Sequence, residues 1–132
     1  MNISASIKSK FNKHRVVVST NGSEKELQIP PKASGFGSSA NGGELLLLAL
    51  ATCFCNDIYR EAAKKNLDIT GVEVECTGEF GAEGEPGSNL RYRVKVVSDA
   101  SDSEIEALIA HTDRIAEIHN TLRKGRSITL DR

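Results

Sequence analysis

Residues 42–66 read GGELLLLALATCFCNDIYREAAKKN, and their opening LLLLALA, residues 45–51, is apolar around nearly the whole circumference of any helix it forms. On a small monomer such a helix would leave leucines in water. It must therefore be wrapped by its own sheet, by a second copy of the chain, or by both, and a homodimer is expected on this ground alone. The apolar run of seven residues falls far short of the roughly 20 needed to span a bilayer.

The rest of the composition narrows the class. With 132 residues the chain is expected to form a single domain, 1–132, around one modest core. Its 17 basic and 18 acidic residues leave a net charge of −1, which gives no general electrostatic reason to expect nucleic acid or an anionic membrane as partner. The amino terminus, MNISASIKSK, lacks the apolar segment of a signal peptide, so a cytoplasmic protein is expected. Three cysteines, an odd number, then read as thiols rather than a disulfide framework.

The order of elements predicts an α+β fold. Ile3 to Ser9, His14 to Thr20 and Glu24 to Ile29 are short and β-branched or alternating, and Asn21-Gly22 marks a tight turn, so an antiparallel meander is expected. A long helix from Glu44 to about Lys65 follows. Then Val72, Val74, Cys76 and Phe80 alternate with Glu73, Glu75, Thr77 and Glu79, answered by Leu90, Tyr92, Val94 and Val96 alternating with Arg91, Arg93 and Lys95. This predicts a hairpin whose acidic and basic outer faces pair across strands. The basic stripe alone would suit an anion, but its acidic partner strand accounts for it. Ser101 with Glu104 three residues on makes a capping box for a second helical region, with a break expected near Thr112. Gly125 stops that helix, and Ser127 to Leu130 are expected to form a last strand.

The two cysteines of the long helix are two positions apart. Such residues are rotated by about 200° from one another, so Cys53 and Cys55 face nearly opposite sides and no disulfide between them is expected within an intact helix. The Cys-x-x-Cys spacing of a redox pair is absent, as is any paired set of metal-ligand spacings. His14, His111 and His119 are scattered, and no metal or cofactor is expected. On its own face Cys53 has Leu46, Ala49 and Leu50 before it and Asp57, Arg60 and Lys64 after it, where a buried stripe turns polar. Nearby cations there would favour the thiolate. Cys55, next to Phe54 and Ile58, and Cys76, on the apolar face of its strand, read as small core residues. Geometry leaves both a chemical and a structural role open for Cys53.

Gly43-Glu44-Leu45-Leu46, followed by Ala49-Leu50-Ala51-Thr52-Cys53, resembles the signature of the OsmC/Ohr family, in which a loop leads into a long helix bearing a reactive cysteine. The likeness extends over the meander before this helix, the hairpin after it and the closing Leu122-Arg123-Lys124-Gly125. The resemblance implies antiparallel sheets around a long central helix, an intertwined homodimer with active sites between subunits, and reduction of organic hydroperoxides by thiol chemistry. It makes Cys53 the peroxidatic residue, Glu44 the counterpart of the motif glutamate, and Arg15, the only arginine before the helix, the candidate for the arginine that helps hold the thiolate. Two departures stand out: Asn41-Gly42-Gly43 replaces the motif's proline-containing turn, and Ala116 falls where a second, resolving cysteine would be.

Three readings follow. The chain is a one-cysteine peroxidase, Cys53 being oxidised by a hydroperoxide and reduced by an external thiol. Alternatively it is a binding or stress-associated protein that keeps the fold without turnover. A third reading, acyl transfer at Cys53 with His119 as base, requires that histidine within hydrogen-bond reach of the sulfur; the alternative is a histidine simply packed on its helix.

Overall fold

A computed structural model describes all 132 residues, Met1–Arg132. The fold is α+β, with antiparallel sheets and one long helix in the middle of the chain. The chain divides into two compact units, Met1–Leu45 and Leu46–Arg132.

The first unit is the predicted meander: β1 (Ile3–Lys10), β2 (Lys13–Thr20) and β3 (Ser23–Leu27), antiparallel in the order β1-β2-β3. Thr20 pairs with Ser23 across a two-residue loop in which Asn21 and Gly22 have φ of 49° and 83°. These left-handed values match the twist of the flanking strands and suit asparagine and glycine. β3 stops at Leu27, two residues short of the Ile29 expected, because Pro30 and Pro31 follow and offer no N–H to continue a ladder. The unit ends on a cap: Asn41 Oδ1 accepts from the Glu44 N–H at 2.8 Å while Glu44 Oε1 accepts from the Asn41 N–H at 2.9 Å. This reciprocal pair starts α1 (Gly42–Lys64) two residues earlier than Glu44.

The second unit holds the core. Phe54, Ile58 and Ala62, one turn apart on α1, are at most 1% exposed. They pack against the apolar faces of β4 (Ile69–Glu79) and β5 (Ser88–Ser98), contributed by Val72, Val74, Tyr92, Val94 and Val96. The hairpin has the register the alternation implies, with Val72 opposite Val96 and Val74 opposite Val94 on the inner face, and Glu73 opposite Lys95 and Glu75 opposite Arg93 on the outer. α2 (Asp102–Ile115) opens on the Ser101–Glu104 capping box and adds Leu108 to the core. Its break lies at Ala116 rather than Thr112. Thr112 is fully buried and its hydroxyl donates to the Leu108 carbonyl at 2.8 Å, so this residue stays within the helix. Ala116, with ψ of 110°, turns the chain into α3 (Glu117–Lys124), which Gly125 ends at φ of 60°. The expected last strand does not form: residues 126–132 have no regular structure, and Ile128 and Leu130 stand 98% and 76% exposed.

The apolar run is only partly covered within one chain. Leu50 is buried, Leu45 to Leu47 are half-buried and Leu48 is 59% exposed. The helix containing the run has 23 residues and by length and composition alone is long and apolar enough to cross a membrane, although the apolar run within it is not. Its second half instead buries Asp57 and Glu61 in ion pairs.

Glu61 is the most heavily paired of these. Its carboxylate accepts from Arg60 Nε at 2.9 Å, Lys64 Nζ at 2.8 Å and His111 Nε2 at 2.8 Å, which holds its pKa down at about 2 from the usual 4.5. A depressed carboxylate contributes stability above its unfolded pKa, and that contribution is lost as pH falls through the folded value. The thermal midpoint is therefore expected to drop between about pH 4.5 and about pH 2, and to drop less steeply in Glu61→Gln. Parallel midpoint–pH curves for the two proteins would remove Glu61 from the acid response.

Candidate active site

Cys53 lies on α1 where the helix passes from its apolar first half to the charged second half, and its side chain is half-buried. One turn further on, Asp57 presents Oδ2 at 3.6 Å from the sulfur, the distance of an S–H···O contact. From α3, Glu117 brings Oε2 to 3.9 Å of the same sulfur. The thiol and the two carboxylates all lie within 4.8 Å of one another, and Asp57 is only 5% exposed.

The local reason for this gathering is the break at Ala116. α3 has no side-chain cap, so its first backbone N–H groups need another acceptor. The backbone N–H of Ile118, second residue of α3, acts on the Cys53 sulfur from this end of the helix and lowers its pKa. The sulfur therefore lies beside the N-terminal, positive end of α3.

Two influences oppose each other at this thiol. Burial raises its pKa above 9.0, the Ile118 N–H lowers it, and the charges of Asp57 and Glu117 raise it again. The balance is upward. Expected cations do not supply the counterweight, because Arg60 Nη1 is bound to Asp57 Oδ1 at 2.9 Å and Lys64 to Glu61 at 2.8 Å. The reading of Cys53 as a thiol acidified by neighbouring cations is thereby corrected: the residues following it on the helix neutralise one another and a carboxylate faces the sulfur. Asp57 is itself raised from 3.8, chiefly by burial, against the pull of Arg60 and with the help of Glu117.

Glu44 and Arg15 belong to the first unit, where each has a partner of its own. Glu44 spends its carboxylate on the Asn41 cap. Arg15 sits exposed on β2 in a 3.8 Å ion pair with Glu26. Cys55 faces the other side of α1, beside Ala51, Asn56 and Val74, and Cys76 stands opposite Tyr92 on the hairpin with its thiol also raised by burial. All three cysteines are free.

His119 is packed rather than catalytic. Its ring lies 5.6 Å from Phe54 and 4.7 Å from Tyr92, centroid to centroid, and neither nitrogen has a partner. Burial holds its pKa below 6.5. With no hydrogen bond to Cys53, the acyl-transfer reading loses its base. Tyr92 is held from its other side, its hydroxyl donating to Asp113, which also binds Arg123 at 2.6 Å. Around this aromatic group lies an open cleft of about 210 Å³, lined by Leu50, Leu90, Leu122, Tyr92 and His119 with Arg91 and Arg123 at its edge.

Glu117 is the site residue that sequence reasoning missed. The one available signal was its place directly after Ala116, the position corresponding to a second cysteine. As a metal site the cluster is poorly furnished: no histidine joins it, and the Arg60 guanidinium already occupies Asp57 Oδ1.

The OsmC-like protein family model matches residues 35–131. No curated protein matches the chain. Among solved structures, the chain is similar to the OsmC-like protein from Mycoplasma pneumoniae, with 23% identity and a TM-score of 0.62 over 93% of this chain and 89% of that one. It is also similar to an organic hydroperoxide resistance protein OsmC from Legionella pneumophila, with 22% identity and a TM-score of 0.62 over 93% and 90%. A third likeness is to an organic hydroperoxide resistance protein from Elizabethkingia anophelis, with 19% identity and a TM-score of 0.63 over 93% and 89%. A match over residues 35–131 covers the long helix, the hairpin and both closing helices, so the chain belongs to the OsmC-like protein family.

Proposed function

We propose that the protein is a thiol-dependent peroxidase that reduces organic hydroperoxides through Cys53 in a one-cysteine cycle, in oxidative-stress protection. The observation that carries this reading is the sulfur itself: half-buried, beside the uncapped N-terminus of α3 and one turn from Asp57, in a chain of this family. The names of the similar Legionella and Elizabethkingia proteins support hydroperoxides as the substrate class.

In the cycle the Cys53 sulfur attacks the terminal peroxide oxygen, the O–O bond breaks, the alcohol leaves and the cysteine becomes a sulfenic acid. Sulfur is oxidised by two electrons and the peroxide is reduced. Ala116 offers no thiol to close a disulfide, and Cys55 lies on the far face of α1. An external thiol therefore condenses with the sulfenic acid, releasing water, and a second thiol equivalent restores Cys53. Such a cycle requires a compartment that supplies reduced thiols, which fits a cytoplasmic protein with three free cysteines. A homodimer is part of the proposal, supported by exposed Leu48 and by Ile128 and Leu130 of the unpaired closing segment. Glu44 and Arg15 are carried as thiolate-holding residues on the family resemblance alone.

The test is multiple turnover. Reduced protein with dithiothreitol is expected to consume cumene hydroperoxide well beyond one equivalent, and dimedone is expected to trap one sulfenic acid on the peptide containing Cys53. Absence of both with several hydroperoxides would leave the second reading, a fold kept for binding. That reading is favoured by the raised Cys53 pKa and by the apolar cleft around Tyr92 and His119.

A further inference from the structure

The peroxidase reading leaves a chemical problem. Cys53 faces a carboxylate, with Asp57 Oδ2 at 3.6 Å as the acceptor of its S–H, and a thiol is a poor nucleophile until that proton moves. The alkoxide that leaves when the O–O bond breaks also needs a proton. One group stands where it can serve both needs.

Resting on that reading, we propose that Asp57 is the acid–base residue of the cycle, taking the Cys53 proton as sulfur attacks and delivering it to the departing alkoxide. The proton count closes. The thiol proton passes to Asp57, sulfur bonds to the terminal peroxide oxygen, which brings its own hydrogen into S–OH, the O–O bond breaks, and the alkoxide leaves with the proton from Asp57. Asp57 ends as the carboxylate with which it began.

The geometry is specific to this residue. Asp57 Oδ2 is 3.6 Å from Sγ, nearer than Glu117 at 3.9 Å, while Arg60 anchors Oδ1 at 2.9 Å and so turns the other oxygen to the thiol. Asp57 is 5% exposed, whereas Glu117 is an exposed residue. The charged and titratable groups that face Asp57 are Cys53 and Arg60 from its own helix and Glu117 from α3. Glu117 is the tuning member: its negative charge raises the pKa of Asp57, bringing the carboxyl nearer to the working range of a proton carrier.

A merely repulsive Asp57 predicts the opposite result from an acid–base one. Its charge raises the thiol pKa, so Asp57→Asn is expected to release more thiolate. Iodoacetamide needs only thiolate, since its leaving iodide takes no proton, and Cys53 alkylation should therefore be faster in this variant. Oxidation by cumene hydroperoxide, followed as a single turnover by dimedone trapping, should instead be about a hundredfold slower, because general acid–base help is lost. Oxidation that speeds up together with alkylation, or stays level, overturns the proposal and leaves the peroxidase reading standing. No oxidation in the unmodified protein overturns both.

The unmodified protein and one further variant keep the test open even if Asp57→Asn folds poorly. With Asp57 as base, the oxidation rate should be level between its pKa and that of the thiol, with an acid limb below. Reaction through free thiolate alone would rise about tenfold per pH unit across the same range. In Glu117→Gln the acid limb should move to lower pH, since the charge that raises Asp57 is gone; an unmoved limb would exclude Asp57 as its source.

Discussion

Replacing Cys53 by serine is expected to reduce hydroperoxide consumption to the uncatalysed background, while Cys55→Ser and Cys76→Ser keep most of it. A serine oxygen cannot accept the terminal peroxide oxygen, so no sulfenic acid and no turnover follow. The variant should still fold, because its hydroxyl can donate to Asp57 Oδ2 as the thiol does. Equal rates of cumene hydroperoxide loss in the Cys53 variant and the unmodified protein would end the assignment of the chemistry to this residue. The contrast among the three cysteines is what makes the result specific. Cys76 is shielded on the inner face of the hairpin, and Cys55 lies on the face of α1 away from both Glu117 and the N-terminus of α3.

Phe54→Ala carries the largest expected cost in stability, about 3–5 kcal/mol by comparison with other buried phenylalanines. Phe54 is 0% exposed and sits among Ile58, Leu108 and Ala116, with the Tyr92 ring at 4.9 Å. Truncation removes a full aromatic volume where two helices and the hairpin converge, and the surrounding backbone cannot close over the gap. It also frees one face of His119, whose packing depends on the same ring. Urea unfolding of the two proteins measures the loss directly. A difference below about 1 kcal/mol would mean that the site collapses far more readily than a close-packed core allows.

Much of the fold was legible because its signals are local. Alternation of Val72, Val74 and Cys76 with Glu73, Glu75 and Thr77 sets which face of β4 is buried, and with the answering basic strand it set the cross-strand pairing as well. Asn21-Gly22, the Ser101–Glu104 box and Gly125 act through neighbours within a few residues, so each could be read in place. Where prediction failed, burial and packing rather than a residue-type signal decided. Thr112 stays helical because it is buried and bonds back to Leu108, and Ala116 breaks the helix without a breaker's side chain.

The same distinction divides the candidate site. That Cys53 and Cys55 point apart, and that Cys53 sits where an apolar face turns charged, follows from 3.6 residues per turn and needed no coordinates. The order of charged residues along the helix also put Asp57 one turn from the thiol. What the sequence could not determine was the sign of the field there. Glu117, 64 residues from Cys53, reaches the sulfur only because Ala116 turns the chain into α3. Arg60, which looked like the cation to acidify the thiol, is instead consumed by Asp57. Charge acts through space rather than along the chain, so tertiary packing alone decided whether Cys53 meets a cation or a carboxylate.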